Sequence, residues 1–289
     1  MDLNSPMGSQ FPEWPSDSWV DPEAERNLLR QRLRRNRLGF SLLGLALVVA
    51  SLSNLGHLIM IFRGQRLHLG AVLGLPYWDL VESSVIVFGS LLGVALLFGR
   101  WPDESWRRRS GLLLLMCLVD SVLWALEYAA ELGLRDGKFD QHEWFRIALG
   151  TALGWSEFAL MASLAGDTAA DLGEPQAIDF AKAVRSLATT GAMVWFMFFY
   201  ITTDWTWPVW PLRERRGWGP NGLMLYLGWM VLCSILCVQV TGLTLLAGRC
   251  CGRALREMAA EDRAADVLPS RSEAGWEELN RSSRPKRGA

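Results

Sequence analysis

Apolar positions along this chain fall into long runs separated by short polar, arginine-rich breaks, instead of the brief alternations of a water-soluble fold. Residues 110–134 show the pattern most fully. Leu112, Leu113, Leu114, Leu115, Met116, Leu118, Val119, Val122, Leu123 and Leu126 supply the apolar stretch of about 20 residues that a bilayer core demands, and Asp120, Glu127 and Glu131 interrupt it. A helix turns about 100° per residue, so steps of seven and four keep these carboxylates, and Trp124 with them, on one face. An acid near the bilayer centre costs roughly 2.5–3.5 kcal/mol on insertion scales, so that face is expected to meet protein, water or a bound ion.

Similar runs predict five further spans, at 38–62, 77–98, 144–165, 183–203 and 221–247. The expected fold is therefore all-α: a polytopic membrane protein with six transmembrane helices in a bundle. Residues 1–20, rich in Pro, Ser, Gly and Asp, read as a disordered cytoplasmic tail. Asp21-Pro22-Glu23 is a helix start, with an N-cap, a proline at the first helical position and acid in the first turn. It opens a basic amphipathic helix over 21–37, in which Leu28, Leu29 and Leu33 lie among Arg26, Arg30, Arg32, Arg34, Arg35 and Arg37. The transmembrane domain follows over 38–248. In the tail, 249–289, an amphipathic helix is expected to continue to Val267, with disorder from Pro269.

Orientation follows from the basic residues near the span ends. The side bearing the N-terminus carries 16 Lys and Arg and the other side carries eight. Both termini are thus expected in the cytoplasm, with the protein multi-pass in the cytoplasmic or plasma membrane. The polar first 37 residues hold no cleavable leader, so the first apolar run is expected to direct insertion. Gly150 and Gly154, four apart in the fourth span, predict a close helix approach. The segment 204–211 has three tryptophans and two prolines, which suits an interfacial piece on the outer surface.

Composition adds limits. The chain is 51% hydrophobic, and its net charge of -1 says little because the charges are sorted by region. None of the five cysteines forms a CxxC or CxxH pair, so neither a disulfide framework nor a structural zinc site is implied. Cys233 and Cys237, one turn apart, read as small packing residues before they read as ligands for a soft metal. Cys250 and Cys251 lie at the cytoplasmic edge, where acylation is the functional alternative. There is no HExxH, GxSxG, P-loop or dinucleotide fingerprint. A haem between helices would want paired intramembrane histidines, and only His57 qualifies; a retinal-type Schiff base would want a mid-span lysine, and Lys182 sits at an edge. No cofactor, resident metal or nucleic-acid partner is indicated.

The candidate chemistry lies with the intramembrane acids. In antiparallel register Glu82 falls near the outer end of its span, Glu127 and Glu157 deeper and Asp120 nearest the middle, while Asp79 and Glu131 sit at the outer interface. No span offers a buried Lys or Arg to neutralise them. Crowded carboxylates in a low-dielectric setting disfavour full ionisation, so some are expected to be protonated or to hold a cation. The leading expectation is a small proton- or cation-coupled transporter whose relay uses Asp120, Glu127 and Glu157, with Glu82, Asn54 and His57 as further members. Against it stands a non-catalytic membrane subunit or scaffold whose polar helix faces serve packing or a partner membrane subunit; an intramembrane enzyme with an unfamiliar site is a third class. The bilayer is the first partner, and anionic lipid is the expected contact of the basic N-terminal helix.

Overall fold

The computed structural model of the chain describes residues 22–62, 78–98, 103–131, 143–202 and 220–282, with side chains over 23–59, 80–98, 103–126, 150–195 and 227–264. The expected N-terminal tail, the tryptophan-rich segment and the side chains of Asp79, Glu127 and Glu131 lie outside the described residues.

Six helices make up the described chain: α1 Pro22–Phe62, α2 Trp78–Leu97, α3 Glu104–Glu131, α4 Glu143–Asp171, α5 Gln176–Thr202 and α6 Pro220–Ser282. Four of them, α1, α2, α3 and α6, are long and apolar enough to cross a membrane. Their surfaces support that reading. Val81, Val85, Phe88 and Leu92 form an exposed stripe on α2, and Leu112, Leu115, Leu118, Val122 and Leu126 form another on α3. Spacings of three and four make each stripe one continuous helix face. Faces this apolar are unusual on a protein surface in water and ordinary against acyl chains.

The helices pack as a closed circuit, α1 against α2, α2 against α3, α3 against α4, α4 against α6 and α6 back against α1, with α5 lodged against α4 and α6. Helices consecutive in the chain, α1 to α4, are thus also neighbours in space. The tightest core lies in one half of the bundle. There Phe40, Leu43, Val94, Leu97, Leu113, Leu164, Val184, Leu243 and Ala247 are almost wholly excluded from the surface.

Close approach occurs where the sequence did not point. Among the described residues nothing lies within 4 Å of a Cβ built at Gly150 or Gly154, whereas Gly39 and Gly93 bring the backbones of α1 and α2 together. A Cβ built at Gly93 would stand 2.9 Å from the Leu43 amide nitrogen and 3.0 Å from the Gly39 carbonyl oxygen. Small residues four apart permit a crossing without dictating one; the partner helix must also present a small surface, as α1 does at Gly39.

The acidic stretch after the fourth apolar run is shorter as a loop than its composition suggests. α4 runs on to Asp171, and Gly173, at φ 96°, closes it. Glu174 N donates to the Ala169 carbonyl at 2.9 Å and Gly173 N to the Ala170 carbonyl at 3.1 Å, the paired bonds of a Schellman cap. Only glycine enters that backbone region without steric penalty. Arg253 of α6 then donates to the Leu172 carbonyl at 3.0 Å and to Glu174 at 3.2 Å, tying α6 to the α4–α5 turn. Arg109 of α3 likewise reaches Ser163 at 2.7 Å and pairs with Asp167 of α4.

At about 1.5 Å per residue, the 41-residue α1 and 63-residue α6 far exceed a hydrocarbon core of about 30 Å. Their projecting ends hold each other: Arg26 pairs with Glu261 and Asp262, and Arg30 with Asp262. α6 continues past Pro269 to Ser282, where the composition had suggested an end to helix at Val267. An internal proline removes one backbone hydrogen bond and favours a kink, so it is a penalty and not an absolute stop.

Candidate functional site

The six sequence candidates separate into three places. On α1, His57 Nδ1 meets the Ser53 carbonyl at 3.0 Å and the Ser53 hydroxyl at 3.4 Å, both on its own helix. Asn54, one face over, donates its amide to the Cys237 sulfur of α6 at 3.5 Å. Ser51 and Thr241 lie 3.3 Å apart on the same seam, and Thr241 also donates to the Cys237 carbonyl at 2.6 Å. Asn54 and Ser51 thus join α1 to α6, while His57 is held within α1. On α2, Glu82 is half-buried near the start of the helix.

Asp120 and Glu157 are the pair that the fold brings together. Leu113 of α3 and Leu164 of α4 both belong to the tight core, and each acid lies seven residues from its leucine, in opposite chain directions. Two turns of antiparallel helix, about 10 Å, therefore carry both carboxyls to the same level of the bundle. Glu157 is buried, within Coulombic reach of Asp120 and beside the Cys117 thiol, which precedes Asp120 by one turn of α3. Its Oε1 atom has no hydrogen-bond partner among the described residues. Glu127, about two turns beyond Asp120 on α3, has its backbone in the helix while its side chain lies outside the described set.

Aromatic packing holds this level of the bundle. Trp124, one turn after Asp120, meets Phe88 of α2 edge-on with ring centroids 5.8 Å apart. Trp155, two residues before Glu157 and hence on another side of α4, packs into the core against Trp229 of α6 at 6.5 Å, and Trp229 meets Trp195 of α5 at 4.4 Å. Trp155, Trp229 and Trp195 thus lock α4, α5 and α6 together. Among the described residues no three His, Cys, Asp or Glu side chains converge as a metal site. All five cysteines are free.

Compared with models of known families, with characterised proteins and with solved structures, the chain matches none.

A buried carboxylate with one oxygen lacking a partner among the described residues, and a second carboxylate within electrostatic reach, is a poor structural element. Each buried charge costs several kcal/mol unless something compensates it, roughly speaking. A proton shared between the two acids, or a cation bound by both, supplies that compensation. Cys117 contributes a weak S–H donor and no positive charge. The signal that could have singled out this pair in the sequence is equal displacement, seven residues each, from the leucines of adjacent antiparallel helices.

Proposed function

We propose that the chain is a six-span integral membrane protein of the cytoplasmic or plasma membrane, with both termini cytoplasmic, that handles a proton or small cation at Asp120 and Glu157. The observation that carries the proposal is the buried Glu157 carboxyl, with its unpartnered oxygen, set beside Asp120 at mid-bundle. Intramembrane acids facing the bundle interior commonly mark ion or proton pathways. α4 and α5, of 29 and 27 residues, have the length to complete six spans. Asp120 and Glu157 would take turns holding the bound ion, and Glu127, further along α3, extends the route towards the side opposite the projecting helix ends.

A second reading, a non-catalytic membrane subunit, is favoured by the α1–α6 seam. Asn54 and Ser51 meet Cys237 and Thr241 of α6 there, and His57 is held by Ser53 of its own helix. Purified protein in liposomes loaded with a pH-sensitive dye separates the two. Coupled handling predicts a flux driven by a proton or cation gradient that falls to the empty-liposome level in Glu157→Gln, while that variant elutes and melts as a folded protein in detergent. A packing role predicts no flux in the parent protein and a lowered melting temperature in the variant.

A further inference from the structure

A second feature of the fold, remote from the acid pair, involves the arginine-rich end of the bundle. Between α1, the end of α2 and the start of α3 lies a recess of about 560 Å³. α3 begins there because Asp103 caps it, accepting from the amides of Ser105 at 3.0 Å and Trp106 at 3.2 Å. That cap sets Trp106 into the recess, where its indole donates to the Leu97 carbonyl at 3.5 Å, and it presents the neighbouring Arg107. α1 contributes Arg32, Arg35 and Asn36 from one side, and Leu97 and Phe98 form the end nearest the apolar spans.

Three observations distinguish this recess from ordinary positive flanking charge. Among the described residues, carboxylates pair with Arg26, Arg30, Arg108, Arg109 and Arg253, but with none of Arg32, Arg35 or Arg107. Asn36, only 5% exposed, lines the recess and keeps an amide nitrogen without a hydrogen-bond acceptor. A buried donor left unmade is costly, so an acceptor is expected there. Finally, the basic groups adjoin an aromatic and aliphatic wall at the level where the apolar run of α2 ends, which suits an amphiphile better than a free ion.

We propose that this recess binds the headgroup of an anionic phospholipid, its phosphate accepting from Arg32, Arg35, Arg107 and Asn36 while its glycerol and upper acyl chain lie on Trp106, Leu97 and Phe98. Guanidinium groups bind phosphate through paired donors, and Asn36 supplies a fixed neutral one. The basic N-terminal helix thereby contributes one wall of a three-helix site, while its first arginines are committed to α6.

The test uses the full chain in nanodiscs of phosphatidylcholine, with or without phosphatidylglycerol. Binding predicts a rise in melting temperature with phosphatidylglycerol and retention of that lipid in native mass spectra. Arg107→Gln should weaken the phosphatidylglycerol dependence about fivefold, the effect expected of one basic residue at an anionic headgroup. Arg34→Gln removes the same charge from the exposed face of α1 outside the recess and should leave it unchanged. Asn36→Leu should melt as high as the parent or higher in phosphatidylcholine, yet lose the phosphatidylglycerol response. Equal losses in Arg34→Gln and Arg107→Gln would overturn the proposal in favour of diffuse surface charge. A matching rise with inorganic phosphate in micelles free of anionic lipid would overturn the lipid assignment, and identical behaviour in the two discs would overturn the site altogether.

Discussion

Replacing Gly93 by valine is expected to separate α1 from α2 and to cost the protein about 3 kcal/mol or more, the upper end of overpacking effects. The magnitude follows from what the new side chain would meet. Flexible side chains yield to an added methyl group, but Gly93 faces the Leu43 amide and the Gly39 carbonyl, which are backbone atoms of a long helix. Since α1 is packed chiefly on α6 and α2, loss of this crossing removes one of its two major supports. Thermal melting in a fixed detergent provides the measurement. Gly150→Val is the control: nothing lies within 4 Å of a Cβ built there, so its cost should stay within about 0.5 kcal/mol. Equal destabilisation by the two substitutions would contradict the crossing described.

The second large effect is expected at Trp155. It is 5% exposed and joins the core of α4 to Trp229, with its ring laid against Gly191 of α5. Trp155→Ala should cost about 3–5 kcal/mol, through lost contacts and the cavity left behind. It should also flatten the near-ultraviolet circular dichroism that the Trp155, Trp229 and Trp195 cluster produces. Trp155→Phe should keep most of the stability. A small loss with an unchanged dichroic spectrum in Trp155→Ala would show that the cluster does not hold α4, α5 and α6 together.

Much of the architecture was legible because bilayers impose simple rules. Run length, the arginine-rich breaks and the Asp21-Pro22-Glu23 start all predict helices that the structure places at similar positions, and membrane-length apolar helices are present at α1, α2, α3 and α6. Pairing between distant segments was not legible. Arg26 with Glu261 and Arg253 with Glu174 depend on which helices become neighbours, and a list of charges along the chain carries no such information. Glycine spacing is ambiguous for the same reason: Gly150 and Gly154 have the favoured interval, yet among the described residues nothing lies within 4 Å of a Cβ built at either.

The acidic site was legible in part. Asp120 lies within electrostatic reach of the buried Glu157, while the Glu127 and Glu131 side chains of the same helix lie outside the described residues. Asn54 and His57 were grouped with these residues because all are polar and lie within apolar runs, yet their described bonds are to α6 and to their own helix. Polarity within a span marks a residue that needs a partner; tertiary structure decides whether that partner is another helix or a bound ion.

The central claim is that Asp120 and Glu157 act as one coupled site. A double-mutant cycle on thermal stability, in one lipid composition and at one pH, tests it most directly, using Asp120→Asn, Glu157→Gln and the two combined. A shared site predicts strong non-additivity, with a coupling of about 1 kcal/mol or more, because removing either acid changes what the other must do with its proton or ion. Additivity within about 0.5 kcal/mol would show two independent side chains and would contradict the shared site.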